Sequence, residues 1–207
     1  MSAPLVKICG VTEPEHLHAA AEAGASFVGL VFAPQSPRCI DRARAERLLA
    51  AMPAALEPVA LLVDADADHP VLQWWRGRVQ LHGGEDEAAC ARIAACGVEL
   101  LRGFAFSPEA VHRWDACAAI GTLVVDGPRG GGGVGFDHGA LAAMVPGLRA
   151  RVMLAGGLTP ETVAQAAATV RPWAVDVSSG VERVRGVKDP ELIRRFCAAA
   201  GAAPRRA

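Results

Sequence analysis

What most constrains this chain is one alternation that repeats from end to end. Short apolar, β-branched runs are followed by a turn and then by a segment with helical spacing. The runs are LVKIC (5–9), SFVGLVF (26–32), EPVALLV (57–63), RVQLH (78–82), VELLRGFA (98–105), TLVVD (122–126), RVMLA (151–155) and WAVDVS (173–178). Helices are expected over 13–23, 41–51, 68–75, 85–95, 107–118, 138–144, 160–169 and 189–199. Several begin on a start signal: TEPEH, SPEA, TPET and DPEL each set a capping side chain before Pro, with Glu in the first turn. An open doubly wound sheet has five to seven strands, whereas eight strand–helix units are what a (β/α)8 TIM barrel requires. The expected fold is therefore an α/β barrel, a compact one at 207 residues. It forms a single domain over 1–207, with residues 200–207 fraying as a tail.

Composition removes several classes of function. Apolar residues make up 52% and charged residues 21%, with a net charge of −1. Lys and Arg do not cluster, which argues against a nucleic-acid partner. No window approaches eighteen uninterrupted apolar residues and the N-terminus lacks a signal-peptide layout, so no membrane association is expected. The cysteines, Cys9, Cys39, Cys90, Cys96, Cys117 and Cys197, form no CxxC pair. They read as reduced thiols in a cytoplasmic protein. The expected state is a monomer.

In a barrel of this kind, function sits where strands hand over to helices. The eight junctions are CGVTEP, APQSPRCI, DADADHP, HGGE, FSPE, DGPRGGGGVGFD, GGLTPE and SSGVERVRGVKD. The last two are small, rich in Gly and Ser, and follow strands seven and eight, the usual phosphate position of the fold. Gly156 and Gly157 could equally make a tight turn; with SSG in the adjacent unit, phosphate binding is the better reading. GPRGGGGVGFD contains GxGxxG, but the next strand, RVMLA, lacks the acidic residue of a dinucleotide fold. Its four glycines suit a loop that closes over a ligand. DADADH lacks the glycine and glutamate of a calcium loop. His16 and His18 face different directions on one helix, so no metal site is expected.

Cys9 ends strand one and Asp126 ends strand six, and both should face the barrel mouth. A thiol and a carboxyl facing one substrate suit acid–base work. Lys7 should enter the barrel one layer below Cys9, and Asp176 on strand eight points inward on the neighbouring strand. Lys7 either pairs with Asp176 and favours the Cys9 thiolate, or simply satisfies a core carboxylate.

KICGVT, SPR, VQLHG, VVDG, GGxGxxFD, LAGGLTPE and VDVSSGVE–GVKD, in that order along nearly the whole chain, resemble the phosphoribosylanthranilate isomerases of tryptophan biosynthesis. The resemblance implies a (β/α)8 barrel that uses no metal or organic cofactor. It implies that Cys9 is a general base, Asp126 a general acid, and that Arg38 faces the anthranilate carboxylate. Gln80 and His82 would line the mouth. Gly156, Gly157, Ser178, Ser179 and Gly180 would surround the phosphate, with Asp176 beside the sugar or aromatic ring. The implied reaction is an Amadori rearrangement of a phosphosugar–anthranilate substrate. This sequence departs from the resemblance at Cys39, where many relatives are expected to carry an aromatic residue, and at GGGGVGFD, which stands for GGTGKxFxW. Indole-glycerol-phosphate synthases and pentose-phosphate epimerases fit less well. The first would need catalytic lysines at the mouth, and Lys7 reads as the only lysine in a strand. A non-catalytic phosphoester binder would need neither Cys9 nor Asp126.

Overall fold

The computed structural model describes residues 3–127 and 136–201. Most of the glycine run expected to close over a ligand, and the tail beyond residue 201, lie outside the described residues. Eight parallel strands close into a barrel in sequence order: β1 (Leu5–Cys9), β2 (Phe27–Val31), β3 (Glu57–Leu62), β4 (Arg78–Leu81), β5 (Glu99–Ala105), β6 (Ile120–Asp126), β7 (Arg151–Leu154) and β8 (Ala174–Val177). Around them lie α1 (Pro14–Glu22), α2 (Arg42–Ala50), α3 (Glu87–Ala94), α4 (Pro108–Ala116), α5 (His138–Met144), α6 (Val163–Val170) and α7 (Pro190–Ala199). Among the described residues no helix is long and apolar enough to cross a membrane.

The period of two sorts each strand into two environments. On β1, Val6 and Ile8 join the large core between barrel and helices. Lys7 and Cys9 turn the other way, into the barrel. The interior is layered. Phe27, Val59, Leu101, Val124, Met153 and Ala174 fill an apolar lower region, together with Ala155. Lys7, Gln80 and Asp176 occupy a polar level joined by hydrogen bonds. Cys9, Val31 and Ala33 form a small apolar cluster at the top. The register that sets Lys7 level with Asp176 makes their contact local once the barrel closes.

Three local expectations need correction. The helix expected over 68–75 is only a 3-10 turn, Pro70–Gln73. Its Trp74 and Trp75 pack edge-on against Phe32, and the Trp75 indole N–H donates to the Arg78 carbonyl at 2.9 Å. Two bulky rings anchored there leave too little chain before β4 for further turns. At TEPEH, Pro14 takes the first helical position, so Glu13 is the N-cap and gives no capping bond; its carboxylate pairs instead with Arg44. At TPET the helix starts late, at Val163, because Thr159 and Thr162 bond each other in a preceding turn. Ser107 and Asp189 cap as their motifs predict.

After β8 the chain forms a short antiparallel hairpin, β9 (Glu182–Val184) and β10 (Val187–Lys188). It carries the other of the chain's two lysines, so Lys7 is not the only lysine in a strand. Both side chains are completely buried.

Candidate active site

Cys9 from the end of β1 and Asp126 from the end of β6 open into one cavity of about 350 Å³ at the carboxyl ends of the strands. Arg38, Gln80, His82, Asp176 and Ser178 line the same cavity. Its volume is in the range that holds a small organic ligand. A larger cavity of about 770 Å³, among Arg151, Arg171 and Trp173 at the amino end of β7, has no thiol, carboxyl or imidazole in its walls. The smaller one is where acid–base chemistry is possible.

Glycines on neighbouring segments make room for four of these side chains. A Cβ on Gly29 would lie 2.8 Å from the Cys9 sulfur, one on Gly103 2.1 Å from His82 Nδ1, and one on Gly10 2.3 Å from Arg38 Cδ. A Cβ on Gly156 would lie 2.6 Å from Asp126 Oδ1, and its φ of +84° is itself unsuited to other residues. Gly156 therefore seats Asp126, in addition to shaping the loop after β7.

A chain of hydrogen bonds crosses the floor. Lys7 Nζ donates to Gln80 Oε1 at 2.8 Å and to Asp176 Oδ1 at 3.0 Å. Because the Gln80 oxygen is taken, its amide nitrogen faces His82 Nδ1 at 3.3 Å as a donor. The remaining imidazole proton is thereby assigned to Nε2, the atom 3.9 Å from Asp126 Oδ2. Burial pushes the His82 pKa down against the pull of Asp126, so the ring is neutral at pH 7. Asp126 Oδ1 accepts the Gly127 N–H at 2.7 Å.

Burial pushes the Cys9 thiol above its ordinary pKa, and the positive charge of Lys7 opposes that shift without overcoming it. Lys7 pairs with Asp176, as both sequence readings require, and its charge acts on the Cys9 pKa in the lowering direction while the net shift is upward. Desolvation works against the Lys7 charge too, but Asp176 and Cys9 outweigh it and raise the pKa.

The residues expected around a phosphate are split. Ser178 lines the cavity, and its hydroxyl donates to the Cys9 carbonyl at 3.1 Å. Gly156, Gly157, Ser179 and Gly180 are not among the lining residues and lie in the loops after β7 and β8. These loops touch: a Cβ on Gly180 would lie 2.0 Å from the Leu158 carbonyl oxygen.

Sequence reasoning missed two residues. Arg38 is engaged along one edge of its guanidinium by Glu182, with Nε to Oε1 at 2.6 Å and Nη2 to Oε2 at 2.9 Å. Lys188 Nζ donates to the same Oε1 at 2.8 Å. Burial pushes the Glu182 carboxyl up, but hydrogen bonds from Arg38, Lys188 and the Gly186 N–H outweigh it and hold it at about 2. The one signal available was scarcity: two lysines in 207 residues, each near a junction.

Residues 6–199 match the family model of N-(5'-phosphoribosyl)anthranilate (PRA) isomerase. The chain is 42% identical over 203 residues to the N-(5'-phosphoribosyl)anthranilate isomerase of Thiobacillus denitrificans, covering 95% of this chain and 98% of that one. It is 44% identical over 200 residues to the enzyme of Chromohalobacter salexigens, covering 92% and 91%. Among solved structures, the phosphoribosyl anthranilate isomerase of Thermotoga maritima superposes with a TM-score of 0.86 at 33% identity, covering 97% of this chain and all of the other. A phosphoribosyl anthranilate isomerase in complex with reduced 1-(o-carboxyphenylamino)-1-deoxyribulose 5-phosphate superposes with a TM-score of 0.84 at 32% identity, with the same coverage. With the barrel and the matched sequence in agreement, this chain belongs to the phosphoribosylanthranilate isomerase family, enzymes that interconvert an aldose and a ketose.

Proposed function

We propose that this protein converts N-(5-phosphoribosyl)anthranilate to 1-(2-carboxyphenylamino)-1-deoxyribulose 5-phosphate by an Amadori rearrangement, as a cytoplasmic step of tryptophan biosynthesis. The observation that carries the reading is the shared cavity, with Cys9 and Asp126 both in its wall. Asp126 gives a proton to the furanose ring oxygen, the C1–O bond breaks, and a protonated Schiff base forms at C1. Cys9 then takes the proton from C2, and the electron pair left behind neutralises the iminium as an enolamine. Tautomerisation of the enolamine yields the ketose.

The charges suit that sequence. Cys9 rests as a thiol, because burial disfavours its anion. The iminium formed beside it adds a positive charge to that of Lys7, which favours release of the thiol proton to solvent, and the thiolate left behind is the base that takes the C2 proton. Neutral His82 presents an N–H on the Asp126 side. Arg38 supplies a fork for the aromatic carboxylate, and the loops after β7 and β8 supply backbone N–H groups and Ser178 for the phosphate. The resemblance implies no organic cofactor or metal, and each step above uses only side chains of this chain.

The test follows the loss of anthranilate-type fluorescence as the purified protein meets phosphoribosylanthranilate. Turnover by the wild type is expected to fall by about 10² to 10⁴ in each of Cys9→Ala and Asp126→Asn. A folded single variant that retains wild-type turnover removes its residue from that role, and a wild type that binds without turnover removes the reaction.

A further inference from the structure

The cluster behind Arg38 has an unbalanced charge. Lys188 is fully buried and its three N–H donors meet three acceptors: Glu182 Oε1 at 2.8 Å, the Ser178 carbonyl at 2.9 Å and the Ser178 hydroxyl at 3.3 Å. Glu182 accepts four hydrogen bonds: two from Arg38, one from Lys188 and one from the Gly186 N–H at 3.0 Å. Two cations therefore share one carboxylate. A surplus positive charge remains, and Arg38 is the member that lines the cavity. Two of its five N–H groups are committed to Glu182, which fixes the plane of the guanidinium before any ligand arrives.

A hairpin holds this arrangement in place. Glu182 opens β9 and Lys188 ends β10, and the turn between them packs on the loop that carries Arg38. A Cβ on Gly186 would lie 3.0 Å from the Pro37 carbonyl oxygen. The hairpin, the Arg38 loop and Ser178 are thus joined through one carboxylate.

We propose that Glu182, anchored by Lys188, is the positioning residue that makes Arg38 selective for a carboxylate on the substrate's aromatic ring. This rests on the reaction proposed above. A planar donor fork discriminates only when its orientation is set in advance. With Glu182 neutral, Arg38 loses its orienting partner, and a carboxylate on the substrate gains little over its absence. A merely structural hairpin would behave differently, lowering activity on every substrate alike.

The experiment condenses ribose 5-phosphate with anthranilate or with aniline, which lacks the carboxylate, and compares kcat/KM for the two adducts. The wild type is expected to favour the carboxylated adduct by about a hundredfold, since a site built to pair a polar group rejects the analogue lacking it. Arg38→Met abolishes most of that preference. Glu182→Gln reduces it by about tenfold, through KM for the carboxylated adduct and not through kcat. Equal losses on both adducts in folded Glu182→Gln overturn the proposal. If that variant does not fold, Glu182→Asp serves by the same criterion, because its shorter carboxylate keeps the charge but cannot reach both Arg38 and Lys188. Turnover without preference in the wild type would remove Arg38 from carboxylate recognition, and the proposal with it. Absence of turnover on either adduct would instead remove the reaction itself.

Discussion

Two buried glutamates, four strands apart around the barrel, solve the same problem differently. Glu85, in the loop after β4, accepts the Ala65 N–H at 3.2 Å, the Gly83 N–H at 2.9 Å and Arg102 Nη1 at 2.9 Å. Arg102 also donates to the carbonyls of Leu81, Gly83 and Glu85, and its guanidinium lies 4.4 Å over the Trp114 ring. That cluster pairs one cation with one anion, and neither residue lines the candidate site's cavity. Glu182, after β8, serves two cations, and one of them borders the cavity. Burial and ion pairing are common to both. What separates scaffold from site is charge balance and access to the candidate cavity: the Glu85 cluster is neutral as a pair, although Arg102 Nε has no hydrogen-bond partner among the described residues, and the Glu182 cluster has positive charge to spare.

The largest effect that could break this comparison is on stability. Arg102→Met strands Glu85 as an unpaired buried charge, so unfolding in urea should show a loss of about 3–5 kcal/mol. The ratio of kcat/KM for the two adducts should stay as in the wild type. If that ratio collapsed while stability held, the two clusters would have been assigned the wrong way round. Lys188→Met should cost less, about 1–3 kcal/mol, because Glu182 keeps Arg38 as a partner. A loss as large as that of Arg102→Met would mean that Lys188 and not Arg38 neutralises Glu182.

The smallest effect is a pH dependence. The folded Glu182 carboxyl titrates at about 2, below an ordinary glutamate at about 4.3. Its contribution to stability is therefore fully present above the ordinary value and is lost as pH falls towards 2. The stability gap between wild type and Glu182→Gln should narrow between pH 6 and pH 3. A gap independent of pH would show that the glutamine loses packing and not charge.

How far the sequence alone could reach differs between these regions for a physical reason. Lys7 and Asp176 lie on strands long enough to have a parity, and barrel closure makes the first and last strands neighbours, so their contact was predictable. Cys9 and Asp126 were legible because strand ends define the mouth. Glu182 and Lys188 sit in strands of three and two residues, too short for any alternation to be read. The SSGVERVRGVKD stretch therefore looked like a loop, and the partner of Arg38 stayed hidden. The missing helix after β3 has a similar cause. VLQWW sets one exposed polar residue, Gln73, among four apolar ones, so its composition could not tell a turn packed on Phe32 from a helix, and the rings decided it. Gly156 was legible as a turn, but its contact with Asp126 depends on two adjacent strand ends that only the closed barrel brings together.

With Lys7 and Lys188 both enclosed, the folded molecule offers solvent no side-chain amine. Reagents that acylate lysine should leave the native enzyme unmarked apart from its N-terminus, and should react fully once the barrel opens. Amine labelling thereby becomes a direct counter of opened molecules, with one reporter beneath the thiol and the other behind the arginine.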